Sequence, residues 1–198
     1  MDPQPDYTNR LAYLLGRLLH PFVVAIITLL IVLRQVPFSE AVLWTGLIGS
    51  VLIIPLAVMI VVMQRRQQYT YQRQVRGPLY ALGWLSIVLC LVLTLALNAP
   101  TVLVACMAAL LVWVPLQAFI NARFTKVSTH VAVVTGCAVG VLLLEPRVSV
   151  PGLLITVVLI GSTAWARIVT RHHTATQVAL GILTGALPVL VTFPLLLR

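Results

Sequence analysis

The chain has 198 residues, 61% of them hydrophobic and only 9% charged. With a mean hydropathy of +1.07, most of its side chains must be solvated by lipid, which excludes a soluble fold. A net charge of +9 would favour nucleic acid in a soluble protein, but with one lysine in the chain and the arginines clustered in loops, no nucleic-acid partner is expected.

A membrane helix needs about 20 predominantly apolar residues, and by that measure the sequence predicts an all-α integral membrane protein, a bundle of six to seven transmembrane helices in one polytopic domain, 1–198. The acidic start, Asp2 to Asp6, is the wrong charge for a secretory signal, so the first apolar segment is expected to stay in the protein. That segment runs from Leu11 to Leu33, with Arg17 and His20 near its start as interfacial residues; the next, Ala41 to Met63, carries Pro55. Leu79 to Leu97 and Val102 to Ile120 follow, joined by the tight Asn98-Ala99-Pro100 turn. The last three are Ser128 to Leu144, Pro151 to Ile168 and Val178 to Leu197. If the first segment lies in the interface instead, the count falls to six. Cys90, Cys106 and Cys137 lie inside these segments without pairing or metal-ligand spacing and read as small packing residues. Trp44, Trp84, Trp113 and Trp165 read as interface anchors or packing, and Gly136-x-x-x-Gly140 as a close helix contact.

Three polar knots interrupt the apolar segments: Arg65 to Pro78, Asn121 to His130, and Ala166 to Gln177. Either topology puts all three on one side of the membrane. Ten cations lie on the knot side and three, Arg34, Arg147 and Arg198, on the other, which faces the knots to the cytoplasm. Setting aside the candidate substrate ligands Arg66, Arg73, Arg76, Lys126 and Arg167 leaves five against three.

Polar groups at membrane borders are costly and usually have a task. His173 and Gln177, spaced i and i+4, would share one face of the last helix, where the amide can orient the imidazole. Arg167 would reach the same pocket if the chain turns tightly after the preceding helix. Ser128 and His130 open another helix, whose first amides are free donors suited to an anion. Arg66, Arg73 and Arg76 supply guanidinium groups shaped to fork onto phosphate oxygens.

Ala166-Arg167, five residues, His173, three residues, Gln177 resembles the third motif of the type 2 phosphatidic acid phosphatase superfamily, Ser-Arg-x5-His-x3-Asp. Val127-Ser128-Thr129-His130 is similar to its second motif, Pro-Ser-Gly-His, with Thr129 in place of glycine; Arg66, six residues, Arg73-Gln74 stands for the first, Lys-x6-Arg-Pro, with Arg76-Gly77-Pro78 competing for that place. The run His173-Thr174-Ala175-Thr176-Gln177-Val178 looks like the branch that hydrolyses dolichyl diphosphate. The resemblance covers a phosphatase-like core, 66–185, and implies a metal-independent lipid phosphatase or polyprenyl diphosphatase with no cofactor. His173 would be the nucleophile, oriented by Gln177, and His130 the general acid, with Arg66, Arg73, Arg76, Lys126, Ser128, Thr129 and Arg167 binding the phosphate of a lipid substrate held among membrane lipids. The alternative is a catalytically lapsed member that binds an anionic lipid or serves as a subunit of a membrane complex, since Gln177 replaces the family's aspartate and the first motif lacks its lysine and proline.

Overall fold

The computed structural model describes residues 7–34, 36–68, 76–145 and 147–197, all helix or short connection, with no strand among them. Hydrocarbon cannot satisfy backbone N–H and C=O groups, so a helix that satisfies them internally is what this composition permits. In chain order the helices are α1 (Tyr7–Leu18), α2 (Pro21–Leu33), α3 (Phe38–Ile48), α4 (Ile54–Arg65), α5 (Gly77–Ala96), α6 (Thr101–Arg123), α7 (Thr129–Leu143), α8 (Val150–Val169) and α9 (Ala175–Leu196). A π-helical stretch, Gly49–Ile53, joins α3 to α4 into one run of 28 residues. Among the described residues five helical runs are long and apolar enough to cross a membrane, and α1 with α2 makes a sixth if the bent pair counts as one; this is a multi-pass membrane protein.

Two of the seven expected segments differ from a simple span. The first is bent by 43° between Leu18 and Pro21. Pro21 has no N–H to give the Arg17 carbonyl, which accepts from His20 instead, so the helix ends one turn early and restarts on the proline. The fifth, α7, has 15 residues, about 22 Å at 1.5 Å per residue, against about 30 Å of hydrocarbon. It is the best-covered helix of its surroundings, with Val131, Ala132, Val134, Thr135, Ala138, Gly140 and Leu142 all buried.

The chain forms two compact units, Met1–Ile31 with Val127–Leu190 and Val32–Lys126 with Val191–Arg198. In the first, α8 packs on both α1 and α7, and α9 crosses α7 with only glycine between backbones. A Cβ on Gly181 would lie 2.8 Å from the Ser128 carbonyl oxygen, and one on Gly185 would lie 2.9 Å from Ala132 Cα. The tight contact therefore belongs to Gly181-x-x-x-Gly185 of α9, meeting α7 at Ser128, Ala132 and Gly136.

In the second unit α5 and α6 form the main pair. Pro115 inside α6 leaves the Leu111 carbonyl without its helical donor, and Trp84 Nε1 of α5 donates to it at 3.3 Å. Trp84 is thus a helix-to-helix hydrogen-bond donor as well as a packing residue.

Three helices end in the same way without glycine. Gln67, Asn98 and Arg171 take left-handed φ values of 56°, 53° and 55° after α4, α5 and α8. After α8, Arg171 N–H bonds the Ile168 carbonyl and His172 N–H the Arg167 carbonyl, the paired pattern of a Schellman motif. A β-carbon is disfavoured in that conformation, so Arg171→Gly is expected to stabilise the protein by about 1 kcal/mol, seen as a raised midpoint of thermal unfolding in detergent.

Candidate functional site

The left-handed turn at Arg171 supplies the tight reversal that the third knot requires. The Arg167 carbonyl accepts both His172 N–H and His173 N–H at 3.2 Å, holding the backbone of both histidines to the last turn of α8. Three residues later α9 begins, and Thr174 and Gln177 cap it reciprocally: Gln177 N–H donates to Thr174 Oγ1 at 3.4 Å, and Thr174 N–H to Gln177 Oε1 at 3.3 Å. This is a capping box, whose sequence signature is Thr-x-x-Gln. The same oxygen is 3.1 Å from His173 Nδ1. A carboxamide oxygen only accepts, so His173 Nδ1 is the donor in this contact, and in the neutral ring the lone pair is then on Nε2. His173 is half-buried.

The second knot is tied directly to the third. Ser128 N–H donates to the Gln177 carbonyl at 3.2 Å, so the first turns of α7 and α9 share a backbone hydrogen bond. Ser128 is the N-cap of α7, yet its hydroxyl makes no capping bond. The residue is fully buried, and Oγ meets no partner among the described residues. Thr129 is the first residue of α7 and His130 the second; the opening amides of a helix find no carbonyl within it.

Arg167, His20, His173 and His172 all act electrostatically on His130, and among the described residues no acidic side chain does. His20 meets it edge to face at 5.3 Å between ring centres and stacks on Phe22 at 5.6 Å. Phe22 N–H approaches His20 Nδ1 at 3.4 Å, which leaves the His20 proton on Nε2. Arg167 Nη2 donates to the Gly16 carbonyl at 3.0 Å, an acceptor freed where α1 ends, while Arg167 Nε is buried and meets no acceptor among the described residues. His172 lies 2.6 Å from Thr170 Oγ1 through Nδ1 and is exposed, edge to face with Tyr13 at 6.4 Å.

The first unit thus brings together Ser128, Thr129, His130, Arg167, His173 and Gln177 of the expected set, and adds His20, which the sequence reading takes for an interfacial residue. The signal that could have flagged His20 is Pro21 beside it, since a helix break inside an apolar segment turns a border histidine inward. The other expected ligands belong to the second unit. Arg66 is the exposed C-cap residue of α4, Arg76 is buried at the start of α5, and Lys126 follows α6 close enough to feel the Arg76 charge. Arg73 lies outside the described residues. Among the described residues no three His, Cys, Asp or Glu side chains stand where they could hold a metal ion.

The Gln177 contacts give a direct test of its two occupations. Gln177→Ala removes the capping box and the His173 orienter together and is expected to cost about 1 kcal/mol of stability, whereas Gln177→Glu preserves the box and should restore it. Thermal unfolding of the purified variants in one detergent reads the difference.

Comparison of the chain with protein-family models, with curated proteins and with solved structures gives no match.

Proposed function

We propose that the protein hydrolyses a lipid phosphate or polyprenyl diphosphate through a phosphohistidine formed on His173. The observation that carries this reading is the hydrogen bond from His173 Nδ1 to Gln177 Oε1, which leaves Nε2 as a lone-pair donor in a neighbourhood where Arg167, His130 and an unsatisfied Ser128 hydroxyl also stand. His173 Nε2 attacks phosphorus, the P–N bond forms as the P–O bond to the lipid breaks, and the leaving oxygen takes a proton from His130. Water, giving its proton back to His130, then hydrolyses the phosphohistidine. Arg167 Nε, Ser128 Oγ and the first amides of α7 stabilise the phosphoryl oxygens as charge develops on them. The arriving phosphate supplies negative charge that no acidic side chain among the described residues brings to His130. With the candidate substrate ligands set aside, the five-to-three cation asymmetry favours a site on the cytoplasmic side.

The capping box favours a second reading, because it gives Gln177 a structural reason to be glutamine: a lapsed enzyme that binds an anionic lipid without turnover. One assay separates the two. Phosphate release by purified protein is measured over phosphatidate, lysophosphatidate and prenyl mono- and diphosphates; His173-dependent release supports the enzyme, and binding without release supports the lapsed form.

A further inference from the structure

The Val32–Lys126 unit contains a cleft of about 720 Å³ between α5 and α6, a size that accommodates a small ligand or one lipid chain. Its walls are apolar and small at Ala81, Pro115 and Ala118 and aromatic at Tyr80 and Trp84. A carboxamide joins this lining. Asn121 is only 4% exposed, and its Oδ1 meets no donor among the described residues. A buried acceptor left so is destabilising, and a ligand bearing a hydroxyl would recover that cost. At the same end, Arg76 directly precedes Gly77 of the lining, and Lys126 follows four residues after Ala122 of the lining. The two cations are near neighbours: burial, and then the charge of Arg76, push the Lys126 ammonium below its ordinary value. The only acidic residue in the sequence from 32 to 126 is Glu40, at the start of α3.

We propose that this cleft binds an anionic glycerophospholipid of the phosphatidylglycerol type, its phosphate between Arg76 and Lys126, a head-group or glycerol oxygen at Asn121, and one acyl chain along Tyr80, Trp84 and Ala118. Charge complementarity selects this occupant: paired cations at the head of an apolar cleft fit an anionic amphiphile and disfavour a zwitterionic one. The inference does not rest on the hydrolytic reading, whose proposed steps use His173, His130, Arg167 and Ser128 and neither Arg76 nor Lys126, the two cations first expected at the same phosphate.

Trp84 is the built-in reporter. The full-length protein is reconstituted with brominated phosphatidylglycerol or with brominated phosphatidylcholine of the same chains, and the share of tryptophan quenching that disappears in Trp84→Phe is followed against lipid fraction. Half-quenching is expected at a roughly 25-fold lower fraction of the phosphatidylglycerol, since each of the two cations near a lipid surface contributes a factor of about five. Arg76→Gln with Lys126→Gln should abolish this preference, and Ala118→Leu, which fills the cleft, should weaken quenching by both lipids. Lys126→Gln alone, at a half-buried loop position, should lower the preference about fivefold and keeps the test decisive if the Arg76 variant does not fold. Equal quenching by the two lipids, or a preference unchanged by the Lys126 variant, overturns the proposal.

Discussion

Replacing His173 by alanine is expected to lower phosphate release at least about 10⁴-fold, because covalent catalysis has no substitute once the nucleophile is gone. The fold should tolerate the change. His173 is half-buried at a connection, and the oxygen its ring is bonded to, Gln177 Oε1, retains the Thr174 N–H in the variant. A drop in turnover with an unfolding midpoint within a few degrees of wild type therefore isolates chemistry from stability. His130→Ala provides the internal comparison. As the proton donor to the leaving oxygen it should cost about 10² to 10⁴-fold, and less for a diphosphate, whose leaving group needs less help from a proton. Wild-type turnover in His173→Ala would remove the phosphohistidine mechanism outright.

The largest structural effect is expected at Gly185. A Cβ there would press on Ala132 backbone atoms of α7, with both its carbonyl carbon and its Cα at 2.9 Å. Neither partner can rotate away, as the end of a flexible side chain could. Gly185→Ala should thus separate α9 from α7 and destabilise the protein by about 3 kcal/mol or more, at the upper end of overpacking costs. Gly161 is the control: it lies in α8 with nothing within 4 Å of an added Cβ, so Gly161→Ala should be neutral or stabilising by up to about 1 kcal/mol. Chemical unfolding in mixed micelles compares the pair. Separation of α7 from α9 would also stretch the Ser128 N–H to Gln177 bond, so activity should fall with stability in the Gly185 variant and stay unchanged in the Gly161 variant.

Much of the architecture is set by composition. A chain this apolar, with breaks of polar residues every 20 or so positions, has no lower-energy choice in lipid than a series of helices. The i, i+4 relation of His173 and Gln177 is likewise local, and one helical turn is enough to bring the ring to the amide. So is the capping box, written in Thr174 and Gln177 themselves.

What sequence periodicity does not contain is which segments return to one another. Arg167 reaches the Gly16 carbonyl across 151 residues of chain, and His20 comes to rest against His130 only because Pro21 ends α1 and α1 packs on α8. Gly136, expected at a close helix contact, does meet one, and the crossing of α7 with α9 is what sets Gly181 and Gly185 against α7, where an added methyl group would meet backbone even more closely. Arg66 and Arg76 are equally charged letters, but the end of α4 leaves one exposed while the start of α5 buries the other. The lipid solvent, the helices and the local His173–Gln177 pair follow from composition and from neighbours within one turn. Only the tertiary structure decided the company His130 keeps, because that depends on contacts between helices far apart in the chain, where the free energy comes from packing rather than from propensity.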